Sequence, residues 1–139
     1  MTTVKWLLYT SRINIPPDRV EAELAGVVAR SCDRNLAGGV SGAMIATTTR
    51  VAQYVEGPDE AVADLMRRIE PDPRHAELQI VAAGERRERQ FPGWGMHYVG
   101  GSVFVQRRIA DAIEDSTMSG LMRADRLIAL MREFARPGR

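Results

Sequence analysis

Val51-Ala52-Gln53-Tyr54-Val55-Glu56-Gly57-Pro58 is an apolar, strand-like run with one neutral amide set into its middle. Valine and tyrosine suit a pleated surface, and Gly57-Pro58 stops the run. Gln53 stands where packing alone would select valine or leucine. Its carboxamide brings two donor hydrogens and an acceptor oxygen, and burying them unpaired costs roughly 1–3 kcal/mol. A polar partner is therefore expected on that face of the sheet.

Upstream, residues 40–47 pair naturally with residues 50–56 as a hairpin turning at Thr48-Thr49. At the start of the chain Val4, Trp6 and Leu8 alternate with Lys5, Leu7 and Tyr9, which puts apolar groups on both faces of a strand covered from both sides. Tyr9 shares a face with Leu7. Between these strands, Asp18 followed by Glu21 resembles a capping box, and Val20, Leu24, Val27 and Val28 recur at helical spacing, predicting a helix over residues 18–34. Its inward stripe continues from Leu24 and Val28 to Ser31 and Asn35, so two polar side chains extend an apolar face before Gly38-Gly39 ends the helix.

Downstream, Pro58-Asp59 opens a second helix with Val62, Leu65, Met66 and Ile69 inward, and Pro71 ends it. Residues 78–83 and 95–99 read as the fourth and fifth strands. The order β, α, β, β, α, β, β is a ferredoxin-like α+β plan with both helices on one sheet face. From Gln106 onward two more amphipathic helices follow, separated by Ser116-Thr117-Met118-Ser119-Gly120. They are expected to cover the other sheet face or to dock on a neighbouring subunit. The division expected is a domain over residues 1–100 and a helical extension over 101–139.

A chain of 139 residues, 45% hydrophobic and 27% charged, fits one ordinary globular domain with no room for a second. The net charge of +1 gives no broad positive field, so neither nucleic acid nor an anionic membrane is the expected partner. One cysteine, Cys32, excludes an internal disulfide and a four-cysteine zinc site. His75, His97 and Cys32 lack ligand spacing on any one element, so no metal is expected. No apolar stretch reaches membrane-spanning length and no secretory signal opens the chain, which points to the cytoplasm. The run Glu85-Arg86-Arg87-Glu88-Arg89 reads as a solvated strand end.

Five spaced segments together resemble the BLUF family of flavin-based blue-light sensors: Leu7-Leu8-Tyr9-Thr10-Ser11-Arg12, then Asn35 with Gly39-Val40-Ser41-Gly42, then Gln53-Tyr54-Val55-Glu56-Gly57-Pro58, then Asp72-Pro73-Arg74-His75, and Arg89-x-Phe91-x-x-Trp94-x-Met96. The resemblance covers residues 4–99. It implies a flavin, FAD in the first instance with FMN or riboflavin as alternatives, held between the two sheet-packing helices. By the same resemblance Tyr9 is the electron and proton donor to the excited flavin, and Gln53 is the amide linking that phenol to the ring. Ser31, Asn35, Arg68 and Asp72 are implied as further ring contacts, and Trp94 and Met96 as relays on strand five. The chain departs from the family pattern at Val51-Ala52, where a Phe and a larger aliphatic residue are common, at Arg34, where a second Asn is frequent, and in the polar stretch Ala46-Thr47-Thr48-Thr49.

A primary amide is nearly symmetric in shape and reversed in hydrogen-bond polarity, so turning Gln53 over exchanges donor for acceptor without moving the backbone. The expectation is thus a photoreceptor and not an enzyme, signalling from Gln53 through strand five and the terminal helices to a separate downstream protein, and self-associating through its sheet edge or methionine-bearing tail. Each residue also has a plainer reading. Tyr9, Trp94 and Met96 are ordinary core side chains, and Arg68 and Asp72 form a local ion pair. The rival functions are a flavin-less interaction module of the same family and a small flavin enzyme working in the same cleft.

Overall fold

Because β-branched and aromatic residues fill the strands on both faces, the sheet sits at the centre of the molecule with helices on each side. The computed structural model describes residues 3–99, 103–115 and 117–134. Its elements are β1 (Val4–Ile13), a 3-10 turn (Pro17–Arg19), α1 (Val20–Ala37), β2 (Ser41–Ala46), β3 (Arg50–Gly57), α2 (Asp59–Ile69), β4 (His75–Arg86), β5 (His97–Val99), α3 (Val103–Glu114) and α4 (Gly120–Phe134). The sheet order is β4-β1-β3-β2-β5, antiparallel except for the parallel pairing of β5 with β2. This is the ferredoxin-like α+β plan read from the sequence, with a fifth strand added at one edge.

The helices divide the core in two. On one face α1 and α2 bury Leu7, Tyr9, Met44, Val55, Leu65 and Met96, among others. On the opposite face α3 and α4 lay Ile109, Ile113, Leu127 and Met131 over Trp6, Leu8, Ile45 and Tyr54. Of the two placements open for the terminal helices, the chain's own sheet is the one observed. Alternation along β1 explains the choice: Trp6 and Leu8 would face water without that second layer, at a cost of about 1.5–3 kcal/mol for each large side chain.

Local details depart from expectation where backbone chemistry overrides pattern. Asp18 and Glu21 form no capping box. Pro16 and Pro17 lock the chain into a 3-10 turn closed by Arg19 N donating to Pro16 O at 2.9 Å, and α1 begins at Val20 with no side-chain cap. At the β2–β3 turn Thr47 supplies the chemistry that Thr48-Thr49 lack. Its Oγ1 accepts from Arg50 N at 2.9 Å and Thr49 N at 3.2 Å. β4 runs three residues further at each end than residues 78–83, because an edge strand is half-exposed and its alternation is diluted by Glu77, Glu85 and Arg86.

Glu56, near the end of β3, is fully buried. Its Oε1 accepts from Tyr54 Oη at 2.9 Å and Gln90 N at 2.8 Å, and its Oε2 from Ser41 Oγ at 3.0 Å and Phe91 N at 2.8 Å. Arg89 closes the group by donating to Ser41 Oγ and to Gly39 O, at 2.9 and 2.7 Å. One carboxylate therefore anchors the connection from β4 to β5, and with it the position of Trp94 and Met96.

Candidate functional site

In the middle of the sheet the register sets Tyr9 of β1, Gln53 of β3 and Met44 of β2 side by side. All three face α1 and α2. The Tyr9 hydroxyl donates to Gln53 Oε1, and Gln53 Nε2 points to Met96 Sδ at 3.5 Å, a weak acceptor. The polar partner that the sequence demands for Gln53 is thus a phenol on one side and a thioether on the other. Burial, and after it the charge of Asp72, raise the Tyr9 phenol well above its ordinary range, so the hydroxyl keeps its proton through neutral pH.

Above this row the sheet and the two helices leave a cleft of about 690 Å³, counted to its open mouth. Its walls are Leu24, Val27 and Val28 of α1, Leu65 and Ile69 of α2, and Ile13 and Ile15 at the end of β1 and just beyond it. Polar groups enter only at the floor and one rim. Asn35 is buried and donates from Nδ2 to Gly95 O at 2.8 Å, which leaves its carbamoyl oxygen bonded to nothing among the described residues. Ser31 returns its hydroxyl proton to Val27 O at 2.7 Å and keeps its oxygen as an acceptor toward the cleft.

α1 reaches this position because Gly95 has no side chain. A Cβ there would lie 2.4 Å from Cys32 O and 2.6 Å from Cys32 Sγ. Close approach at that point holds the C-terminal half of α1 against the segment carrying Met96.

Of the residues singled out from the sequence, Tyr9, Ser31, Asn35, Gln53, Asp72 and Met96 line the cleft. Arg68 does not. It is exposed on α2, outside the stripe of Leu65, Met66 and Ile69, and Asp72 takes Arg74 as its partner through Nε at 3.0 and 3.1 Å. Those bonds from Arg74 hold the Asp72 carboxyl below its usual range. Trp94 also lies outside the cleft. It is half-buried, its ring 5.0 Å from that of Phe91, against the core under α3 and α4, while its carbonyl accepts from Gly42 N at 2.8 Å. Met96 and Trp94 therefore face opposite sides of the sheet.

Arg74 and His75 line the cleft without having been picked out as ring contacts. His75 bonds through Nε2 to Ile69 O at 2.6 Å and through Nδ1 to Ser11 Oγ at 2.9 Å, with its ring 6.2 Å from that of Tyr9. A carbonyl only accepts, so Nε2 carries the proton of its bond, and in the neutral ring Nδ1 accepts from Ser11. The signal was present in Asp72-Pro73-Arg74-His75, whose turn before β4 brings both side chains to the rim. Among the described residues no three potential metal ligands gather, and no helix is long and apolar enough to cross a membrane.

Two apolar walls with amides at the floor suit a flat ring that has apolar faces and a hydrogen-bonding edge. The flavin expected from the sequence has that form, and Gln53 Oε1 and Nε2, Asn35 Oδ1 and Ser31 Oγ supply both donors and acceptors for its edge. The cleft is not filled by the chain's own side chains.

Comparison with known proteins agrees with this architecture. Residues 4–97 match the family described as sensors of blue-light using FAD, BLUF. The photoactivated adenylate cyclase subunit beta of Euglena gracilis is 31% identical over 91 residues, which are 66% of this chain and 10% of that protein. The chain thus spans about a tenth of the length of the curated relatives it matches. Among solved structures, BlrB, described as a BLUF protein in its dark state, superposes with a TM-score of 0.78 at 28% identity over 96% of this chain and 98% of that one. Klebsiella pneumoniae BlrP1 with FMN and cyclic diGMP superposes with a TM-score of 0.63 at 28% identity, over 69% of this chain and 25% of that one.

Proposed function

Because the chain belongs to the family of blue-light sensors using FAD, we propose that it is a flavin-binding photoreceptor whose switch is the orientation of the Gln53 carboxamide. The observation that carries this reading is the chain of contacts from Tyr9 Oη to Gln53 Oε1 and from Gln53 Nε2 to Met96 Sδ at the floor of an open cleft. When bound, the flavin supplies absorption of blue light and an excited state that takes up an electron.

The protein's part is to hold and exchange hydrogen bonds. Tyr9 is the oxidisable side chain on the cleft floor, and its proton already has an acceptor in Gln53. In the observed orientation the amide oxygen accepts from the phenol with one of its two lone pairs and the amide nitrogen faces sulfur. Turned over, Gln53 offers a donor toward Tyr9 and an oxygen toward Met96, where sulfur has no hydrogen to give. That loss pushes on Met96 and so on the segment from Phe91 to β5. Trp94 in the same segment transmits the change to the opposite face, where Phe91 and Tyr54 meet α3 and α4. Residues 1–100 serve in this reading as the sensing part and residues 101–139 as the part that reports to a separate protein.

Two of the three proteins named above are described with nucleotides or nucleotide chemistry: a cyclase in Euglena gracilis and a cyclic diGMP complex for BlrP1. This chain acts, on our reading, through a downstream partner and not by its own chemistry. FAD is the flavin in the family description, and FMN, present with BlrP1, carries the same ring. The test is Gln53→Leu. It keeps volume and burial but removes both polar ends, so the variant should stay yellow and lose the light-induced red shift of its flavin band. A shift of full size in the variant would contradict the role given to Gln53.

A further inference from the structure

Where α1 passes the mouth of the cleft it carries Arg30 and Arg34, four residues apart and so on one helix face. Together with Arg74, Val27 and Ser31 they line a second hollow that is open to solvent. Val27, Ser31 and Arg74 line the main cleft as well, so the two spaces share a wall. Anything long enough to extend past Ser31 from the first space enters the second.

The electrostatics of this hollow are unusual for the chain. Arg74 is held by Asp72, and Glu23 lies near enough to favour its charge further. The guanidinium groups of Arg30 and Arg34 have no ion pair and no hydrogen bond among the described residues. Like charges at this spacing repel, and no ion pair among the described residues offsets them. The protein as a whole is nearly neutral, at +1, so no broad positive field adds to the charge these arginines bring to the mouth of the cleft. Two guanidinium groups lining one open hollow offer the donors and the charge that a phosphate group accepts.

We propose that this hollow binds the phosphate of the flavin's side chain, so that the protein selects phosphorylated flavins, FMN or FAD, over riboflavin. The inference rests on the reading of the main cleft as the ring site. It adds a chemical requirement which that reading does not contain. The ring packs between α1 and α2, the ribityl chain passes Ser31, and the phosphate meets Arg30 and Arg34. Arg74, fixed by Asp72, forms the wall between the two parts.

The experiment titrates the full chain, stripped of flavin, with riboflavin, FMN and FAD, and follows quenching of flavin fluorescence at low and at high salt. FMN and FAD should bind on the order of tenfold more tightly than riboflavin at low salt, with the advantage shrinking as salt screens the exposed arginines. In the double variant Arg30→Gln, Arg34→Gln the advantage should vanish while riboflavin affinity stays within about twofold, since an amide keeps the hydrogen bonds but not the charge. Equal affinities for riboflavin and FMN in the unaltered chain would overturn the phosphate site and leave the ring site standing. So would a preference that survives the double variant, or binding of inorganic phosphate with no preference for FMN. Failure of all three flavins to bind would overturn the ring site and this proposal with it.

Discussion

Replacing Glu56 tests the claim that one buried carboxylate positions the segment between β4 and β5. Four donors converge on it: the hydroxyls of Ser41 and Tyr54 and the backbone amides of Gln90 and Phe91. In Glu56→Leu the two hydroxyls can turn to other partners, but the two amides cannot. Each orphaned amide costs about 1–3 kcal/mol, so the variant should lose about 4 kcal/mol in the middle of that range. In Glu56→Gln one oxygen remains and the amide nitrogen faces one hydroxyl, which can reverse, and one backbone N–H, which cannot. The expected loss is then about half, near 2 kcal/mol. At about 4 °C per kcal/mol for a domain of this size, the melting temperature should fall by about 16 °C in the leucine variant and about 8 °C in the glutamine variant. Thermal unfolding followed by circular dichroism at neutral pH measures both. Tryptophan emission should also change in both folded variants, because the turn that carries Trp94 is loosened. A leucine variant as stable as the parent, or a glutamine variant as damaged as the leucine one, would refute the reasoning.

Two further outcomes follow from the same geometry. Burial raises the phenol of Tyr9, aided by the charge of Asp72, and burial also raises that of Tyr54, aided by the charge and hydrogen bond of Glu56. Above pH ~10 the unfolded chain releases tyrosine protons that the folded chain retains, so stability falls with rising pH by about 1.4 kcal/mol per unit per tyrosine. Urea midpoints taken between about pH 9 and about pH 11 should show that decline, and Tyr54→Phe should halve it; a flat profile contradicts both assignments. Met96→Leu conserves volume but removes the acceptor for Gln53 Nε2, at 3.5 Å in the parent. The returning amide then has less to gain, and a loss of up to about 1 kcal/mol corresponds to recovery in darkness up to about fivefold slower. Recovery that is unchanged or faster, followed by absorbance, would separate Met96 from the switch.

The fold was legible where periodicity and burial agree. The runs around Gln53 and Tyr9 alternate or fill both faces as central strands must, and the stripes Leu24–Val28 and Val62–Ile69 mark helices that pack on a sheet. The elements missed or shortened lie where burial is partial. β4 is an edge strand whose charged residues hide its length, and the start of α1 is set by Pro16-Pro17, not by Asp18 and Glu21. The placement of α3 and α4 was open in the sequence, because an amphipathic helix states that it covers something without stating what.

The site divides in the same manner. Tyr9, Asn35 and Gln53 stood out because a polar group on an apolar face requires a partner, and all three line the cleft. The role of Glu56 is not legible in the sequence, since no local pattern reveals four donors arriving from Ser41, Tyr54, Gln90 and Phe91. Arg68 and Arg74 illustrate the limit most clearly. Both lie near Asp72 in sequence, and only the path of the turn before β4 decides which guanidinium reaches the carboxylate. Trp94 and Met96, two residues apart, were grouped by motif, yet one packs under the terminal helices and the other touches Gln53.

The absorption spectrum of the flavin-loaded chain, recorded in darkness, after blue light and again after darkness, tests the central claim most directly. The account predicts a red shift of the flavin band that appears with illumination and reverses in the dark. A spectrum that stays the same under blue light, from protein with flavin demonstrably bound, would contradict it.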